Sequence, residues 1–241
     1  MSKCLIIGYG RMGKIHARHL DELGVVWDYH DPFVSGGVPL SPNYSHVIIS
    51  TPIGTHFDVY QSLKDFDASI LIEKPVVVHQ EHLHVFRDER VFAGMVERFN
   101  PISQILLNRE ITSLSFTRNA SDLPPICDIA IHDIDLAFFA LGNQDWSVQS
   151  VTEDKIESYI GNVPVSFSFK RTDKKKRKCL VNCEEVIDLY LQSRNGDRLP
   201  FVWPVRRELE CFLADRDSWP EQQLVRCSHE FMIHCLDRSA K

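Results

Sequence analysis

Short aliphatic runs recur through the first hundred residues with little alternation inside them. They are Lys3–Gly8 (KCLIIG), Val25–His30, His46–Ser50 (HVIIS), Ser69–Ile72 and Val91–Val96. Runs that stay apolar at consecutive positions read as strands buried on both faces. Between them, Arg11–Leu23 and Thr55–Lys64 have helical spacing, with Ile15, His19 or Leu20, and Leu23 on one side of the first. Gly24 stands just past that helix as a C-cap candidate. Strands joined through helices predict a parallel sheet covered on both faces. One interval breaks the rhythm. Asp31 to Tyr44 contains Pro32, Gly36, Gly37, Pro39 and Pro42, too many breakers for a crossover helix. A strand and helix usual in a doubly wound sheet are expected to be shortened or missing there.

The pattern changes near Asn100. Pro101–Glu110 reads as a helix with proline in its first turn, Ile111–Arg118 as a strand, and Asp128–Leu141 as a strongly apolar helix ending at Gly142. From Val148 to Ser193 the segments SVQSVTE, KIESYIG, VPVSFSFK, KCLVNCE and VIDLYLQS alternate, which suits an antiparallel sheet with one covered face. Helices are expected at Val205–Ala214 and Pro220–Leu236. The organisation is therefore α/β over residues 1–100, then α+β over 101–241 with a mainly antiparallel, open-faced sheet, within a chain of 241 residues.

The net charge of -6, split as -3 on each side of residue 100, leaves neither part with a basic excess suited to duplex nucleic acid. No apolar run approaches the 18 residues of a membrane helix, and the start Met1–Gly8 meets glycines too soon for a secretory signal. These features point to a soluble, cytoplasmic protein with no nucleic-acid or membrane partner. Seven cysteines without a C-x-x-C pair are not expected to form a disulfide framework in a reduced compartment, and most read as buried small residues.

Gly8-Tyr9-Gly10-Arg11-Met12-Gly13 is a G-x-G-x-x-G that follows a strand and opens a helix. Gly8 permits the turn, Gly10 lets a pyrophosphate approach the backbone, and Gly13 lets helix and strand pack closely. The helix N-terminus then faces the phosphates. Asp31, 18 residues past Gly13, is placed to accept both hydroxyls of an adenosine ribose. Its charge repels a 2'-phosphate, so NAD is expected over NADP; Asp28 competes for this role if the strand ends earlier.

Three more segments stand in order: Ser50-Thr51-Pro52-Ile53-Gly54-Thr55-His56, Glu73-Lys74-Pro75, and Asp128-Ile129-Ala130-Ile131-His132-Asp133-Ile134-Asp135. With the glycine turn and Met95-Val96-Glu97-Arg98-Phe99-Asn100-Pro101, they resemble the glucose-fructose oxidoreductase / inositol dehydrogenase / MocA family. The likeness covers about residues 3–142 and continues faintly through Glu208–Leu213. It implies a trimmed Rossmann-type domain and a second domain for substrate and oligomerisation. It also implies a nicotinamide-dependent dehydrogenase of sugars, cyclitols or nucleotide-linked sugars. Carried over, Lys74, Asp128 and His132 are the catalytic candidates. Gly8, Tyr9, Gly10, Arg11, Met12, Gly13, Asp31, Ser50, Thr51, Pro52, His56, Glu73, Lys74 and Arg98 are the cofactor-side candidates. A homo-oligomer, at least a dimer, follows from the same resemblance.

The chemistry stands beside the resemblance. Oxidising a secondary alcohol requires a proton acceptor, and histidine titrates nearest neutrality. Residues 128 and 132 are four apart, on one helix face. A lysine ammonium stabilises a developing alkoxide. His132 is read as the acid/base and Lys74 as its polarising partner, with the reverse assignment open. Both are expected to meet in a cleft at the carboxyl ends of the parallel strands. Asp133 and Asp135 are weaker candidates.

Departures from the family are the absence of glycines before Asp128, where Leu123–Cys127 stands, and the short chain. Two rival readings remain: a reductase of an unsaturated or tetrapyrrole-like substrate, and a non-catalytic dinucleotide-binding sensor or partner. The basic run Lys174–Lys178 reads as a solvated hairpin tip. His79, His82 and His84 read as a surface helix without a metal, and Trp203 reads as core.

Overall fold

The computed structural model describes residues 3–120, 126–172, 174–214, 219 and 222–239. Contacts divide the chain into two units, Met1–Gly94 with Val205–Gln222, and Met95–Pro204 with Gln223–Lys241.

The first unit is built on five parallel strands, β1 (Lys3–Ile7), β2 (Val26–His30), β3 (His46–Ile49), β4 (Ser69–Glu73) and β5 (Val91–Gly94), in the order β2-β1-β3-β4-β5. The central strands bury nearly every side chain, which explains their unbroken apolar runs. Helix α1 (Arg11–Glu22) returns the chain from β1 to β2 and stops at Gly24, whose φ is +68°. Helix α2 (His56–Ser62) follows a 3-10 turn at Ile53–Thr55.

The interval after Asp31 is trimmed as expected. Among the described residues no strand lies outside β2, which is the sheet edge. The Asp31–Tyr44 loop covers that edge instead. Val38 N–H donates to Tyr29 O (2.8 Å), and Gly37 lies against the Tyr29 ring, where a Cβ would come within 3.1 Å of backbone. A covered edge is protected from pairing with another chain.

Helix α4 (Pro204–Ala214), far along the sequence, completes this unit. Its Leu209 and Phe212 join Cys4, Ile6, Ala17, Leu20, Ile48, Leu71 and Phe92 in one buried cluster, with Trp219 against it.

The second unit contains β6 (Leu114–Ala120), β7 (Trp146–Val151), β8 (Lys155–Ile160), β9 (Val163–Arg171), β10 (Lys176–Val181), β11 (Glu185–Asp188), β12 (Ser193–Arg194) and β13 (Asp197–Arg198). Their order is β13-β12-β11-β10-β6-β9-β8-β7, antiparallel except for the parallel pair β6–β9. Helices α3 (Ile131–Leu141) and α5 (Gln222–Ser239) supply its core, where Phe138, Phe167 and Phe231 meet with ring centroids about 6.0 Å apart. The opposite sheet positions are polar: Ser115, Thr117, Ser166, Ser168 and Glu157, with the Ser115 and Ser166 hydroxyls 2.7 Å apart.

Three expected elements and one core assignment differ. Pro101–Glu110 is a 3-10 turn over Pro101–Leu106 rather than a longer helix. The Asn100 side chain accepts the Ile102 N–H (3.3 Å), and Asn108 at φ +56° diverts the chain. VIDLYLQS stops being a strand after Asp188, whose carboxylate accepts the N–H groups of Tyr190 and Leu191 at 3.1 and 2.9 Å. The His79–Arg87 surface segment is also a 3-10 turn, Gln80–Arg87. Trp203, expected in the core, is 53% exposed. Among the described residues no helix is long and apolar enough to cross a membrane.

Candidate active site

The glycine turn lies between β1 and α1, and its three glycines answer to different demands. A Cβ on Gly8 (φ +91°) would sit 2.7 Å from Thr51 N, and one on Gly13 would overlap the Gly8 carbonyl oxygen. The protein's own packing therefore requires both. Gly10 has ordinary φ, -78°, and no atom within 4 Å of its notional Cβ. Its bareness serves nothing inside the chain and fits a phosphate brought against backbone N–H groups.

Asp31 directly follows β2. Its Oδ2 accepts Tyr9 N–H (2.8 Å) and its Oδ1 accepts Phe33 N–H (2.9 Å), so the carboxylate is fixed beside the glycine turn with lone pairs left over. Asp28 is committed elsewhere, to Lys3 Nζ (2.9 Å) and Tyr44 Oη (2.8 Å). The Lys3 ammonium, then the Tyr44 hydroxyl, hold the Asp28 carboxyl below its usual range. The Tyr9 ring stacks on Tyr29, with centroids 4.1 Å apart, and the Tyr29 hydroxyl donates to Ser35 O (2.5 Å). Aromatic packing thus stiffens the side that lost its outer strand.

The Ser50–His56 segment is braced from within. Ser50 Oγ donates to Gly8 O (2.7 Å), and Thr55 Oγ1 donates to Pro52 O (2.7 Å). His56 is 2% exposed, and its ring nitrogens face two carbonyls, Pro75 O from Nδ1 (2.9 Å) and Thr51 O from Nε2 (2.8 Å). This buried side chain is a strut between two loops and is not at a surface a ligand reaches.

Glu73 ends β4 and is also buried. Its Oε1 accepts from His16 Nε2 (2.7 Å), and its Oε2 accepts the Lys74 N–H (3.3 Å). Burial pushes the Glu73 carboxyl up, but the His16 bond and the charges of His16, Lys74 and His56 outweigh it and leave it lowered. Lys74 itself is half-buried, ahead of a cis peptide to Pro75.

In the second unit, a π-turn at Ile126–Ala130 leads into α3. From Asp128 to Phe138 every side chain is buried except Asp128 and His132. That exception carries the site reading. Asp133 and Asp135 hold the buried side of the helix. Arg118 donates to Asp133 from Nε (3.0 Å) and Nη2 (2.5 Å), and faces Glu97 at 3.4 Å. Glu97 also meets Arg177 (3.1 Å) and Asn100 (3.1 Å). Burial opposes the Arg118 charge, but Asp133 and Glu97 outweigh it and raise its pKa. Arg98, expected on the cofactor side, is 2% exposed and forks onto Asp135 at 2.6 and 2.7 Å. Its guanidinium is thus a buried counter-ion to α3.

The sequence reading missed His16 and Arg118. His16 had a signal: it lies three and four residues before His19 and Leu20 on the buried stripe of α1. Arg118 had none, being one charge in an alternating strand. Among the described residues no three His, Cys, Asp or Glu side chains converge as metal ligands.

No family model matches the chain. It is 24% identical over 198 residues to inositol 2-dehydrogenase of Rhizobium meliloti (strain 1021), covering 65% of this chain and 60% of that protein. It is 25% identical to scyllo-inositol 2-dehydrogenase (NAD(+)) of Bacillus subtilis (strain 168), over 61% of this chain and 56% of that protein. The chain thus spans less than two thirds of the curated relatives it matches. In structure it resembles UDP-N-acetylglucosamine 3-dehydrogenase GnnA from Acidithiobacillus ferrooxidans, with TM-score 0.82, 19% identity, and coverage of 98% and 97% of the two chains. A Gfo/Idh/MocA family oxidoreductase from Vibrio cholerae gives TM-score 0.73 at 12% identity, over 99% and 98%.

The parallel sheet with its glycine turn, followed by a mainly antiparallel sheet, matches the Rossmann-like two-part fold of those oxidoreductase structures. Motif order, these relatives and the fold all liken this chain to the Gfo/Idh/MocA oxidoreductases.

Proposed function

We propose that the chain is an NAD-dependent dehydrogenase acting on a secondary alcohol, or its ketone, of a sugar, cyclitol or nucleotide-linked sugar. The observation that carries this is Gly10, bare where the chain's own packing asks for no glycine, beside an Asp31 fixed at the end of β2. The curated relatives' names, both inositol dehydrogenases, support the substrate class.

Gly8–Gly13 and the start of α1, including Arg11 and Met12, hold the pyrophosphate. Asp31 holds the adenosine ribose, and Ser50, Thr51 and Pro52 border the nicotinamide half. When bound, the nicotinamide supplies a hydride acceptor. The chain's own work is on the proton. His132 takes the proton of the substrate hydroxyl. Asp128 orients the imidazole or holds a neighbouring hydroxyl. The Lys74 ammonium stabilises the oxygen as its negative charge develops. His56, Glu73 and Arg98 act behind these groups.

Titration of the purified protein with NAD(H) and NADP(H), read by calorimetry, tests the reading. NAD(H) is expected to bind more tightly, and both Asp31→Ala and Gly10→Val to weaken it at least tenfold (about 1.4 kcal/mol) without changing melting by more than a degree or two. No dinucleotide binding at millimolar concentration overturns the proposal. The protein is further read as at least a dimer, and light scattering that finds monomer alone would refute this.

A further inference from the structure

Helix α4 carries a carboxyl that nothing in the first unit pairs. Glu208 is fully buried, and neither of its carboxyl oxygens has a hydrogen-bond partner. An unpaired buried polar group is costly enough that native folds rarely keep one without a role. Its neighbour Leu209 packs in the cluster containing Leu71, two residues before Glu73. The carboxylate whose charge reaches Glu208 is Glu73. Glu73 is bound to His16, and His16 Nδ1 is itself buried and unpartnered. Two carboxyls and an imidazole are thus buried together in one compartment of the first unit, the carboxyls near enough for charge on one to act on the other.

We propose that Glu208 is a positioning residue for Lys74, its uncharged carboxyl leaving Glu73 the sole negative charge of the compartment and thereby locking the turn from β4 to Pro75. The link is direct, because Glu73 Oε2 holds the Lys74 N–H. An ionised Glu208 would set a second charge against Glu73 where water cannot screen it. Glu73 would then be driven from His16, and Lys74 would lose its backbone anchor. Burial, then the Glu73 charge, push the Glu208 carboxyl well up, in keeping with that state.

The surrounding charges are accounted for. His16 from α1, Lys74 from the turn and His56 from α2 all face Glu73. On α4, Arg206 points to Glu22 (3.9 Å) and Glu210 (3.0 Å). His46 of β3 meets Phe212 edge-on at 5.1 Å.

The sign of the effect is fixed. An unfolded glutamic acid loses its proton near pH 4.3, whereas the folded Glu208 keeps it. Between that value and its folded pKa the native state binds the extra proton, so folding weakens tenfold for each unit rise in pH. Glu208→Gln imitates the neutral acid and removes this dependence. Urea melting of both proteins at pH 5, 6 and 7 should show the variant's advantage growing about tenfold per unit. Hydrogen exchange should show the Glu73–Val77 amides of the wild type opening with pH beyond the rise shared by the rest of the chain, and those of Glu208→Gln following the rest.

A pH-independent gap in melting, or identical exchange of that segment in both proteins, overturns the proposal. Should Glu208→Gln fail to fold, Glu208→Leu carries both measurements. The role named rests on the dehydrogenase reading, but neither measurement needs cofactor or substrate. Failure of dinucleotide binding therefore sinks that reading alone, and failure here with NAD binding intact sinks only the role of Glu208.

Discussion

Alanine at Lys74 or at His132 is expected to lower turnover by roughly a hundred- to ten-thousand-fold, with dinucleotide affinity changed no more than a few-fold. In the proposed mechanism one group acts on the substrate oxygen by charge and the other by proton transfer, so loss of either should fall on the transition state. Neither substitution is expected to unfold the chain. His132 and Asp128 are the side chains of the helix entry that reach the surface, while the buried side is held by Asp133 and Asp135. Lys74 stands on a turn fixed by Glu73, His16 and His56 through contacts a truncated side chain leaves in place. Steady-state kinetics with a productive sugar or cyclitol, beside calorimetric NAD titration of each variant, separates the terms. Wild-type turnover in either variant would remove that residue from the mechanism.

Arg118→Leu should be the most damaging substitution in the second unit, costing about 3–5 kcal/mol of stability. Arg118 is 3% exposed and lies between Asp133 and Glu97. Its removal leaves two carboxylates in the interior with less positive charge to face, since Arg177 reaches Glu97 from a partly exposed position. The penalty comes from stranding those acids more than from the net worth of the bridge. The double substitution Arg118→Leu with Asp133→Leu should therefore recover much of the loss. Denaturant melting of the single and double variants measures both terms. A single-variant cost below about 1 kcal/mol would show that the network does not hold α3.

Much of the first unit is legible because its strands are covered on both faces, so each appears as an unbroken apolar run between glycines and prolines. The missing outer strand is equally plain, since Pro32, Gly36, Gly37, Pro39 and Pro42 forbid a crossover helix. The second unit is less legible for specific reasons. Alternation in β6 and β9 marks half-buried strands but cannot say that the two run parallel. VIDLYLQS has strand propensity throughout, yet Asp188 caps the next two N–H groups and Gln192 adopts φ +50°, which ends the strand. At the candidate site, motifs locate loops but not which side chains face outward. His56, Glu73 and Arg98 belong to the recognisable segments, yet they lie 2%, 7% and 2% exposed. Burial depends on partners such as His16 and Asp135 that are distant in sequence, and no local pattern encodes it.

Helix α4 sets a timetable for the nascent chain. The first unit takes in Met1–Gly94 and then Val205–Gln222. At 5–20 residues per second, the ribosome needs roughly 6–25 s to travel from the end of β5 to the end of that return segment. Through that interval Ile6, Ile48, Leu71 and Phe92 lack Leu209 and Phe212. The parallel sheet emerges first but is sealed late, and during translation its uncovered apolar face is a natural client surface for holding chaperones.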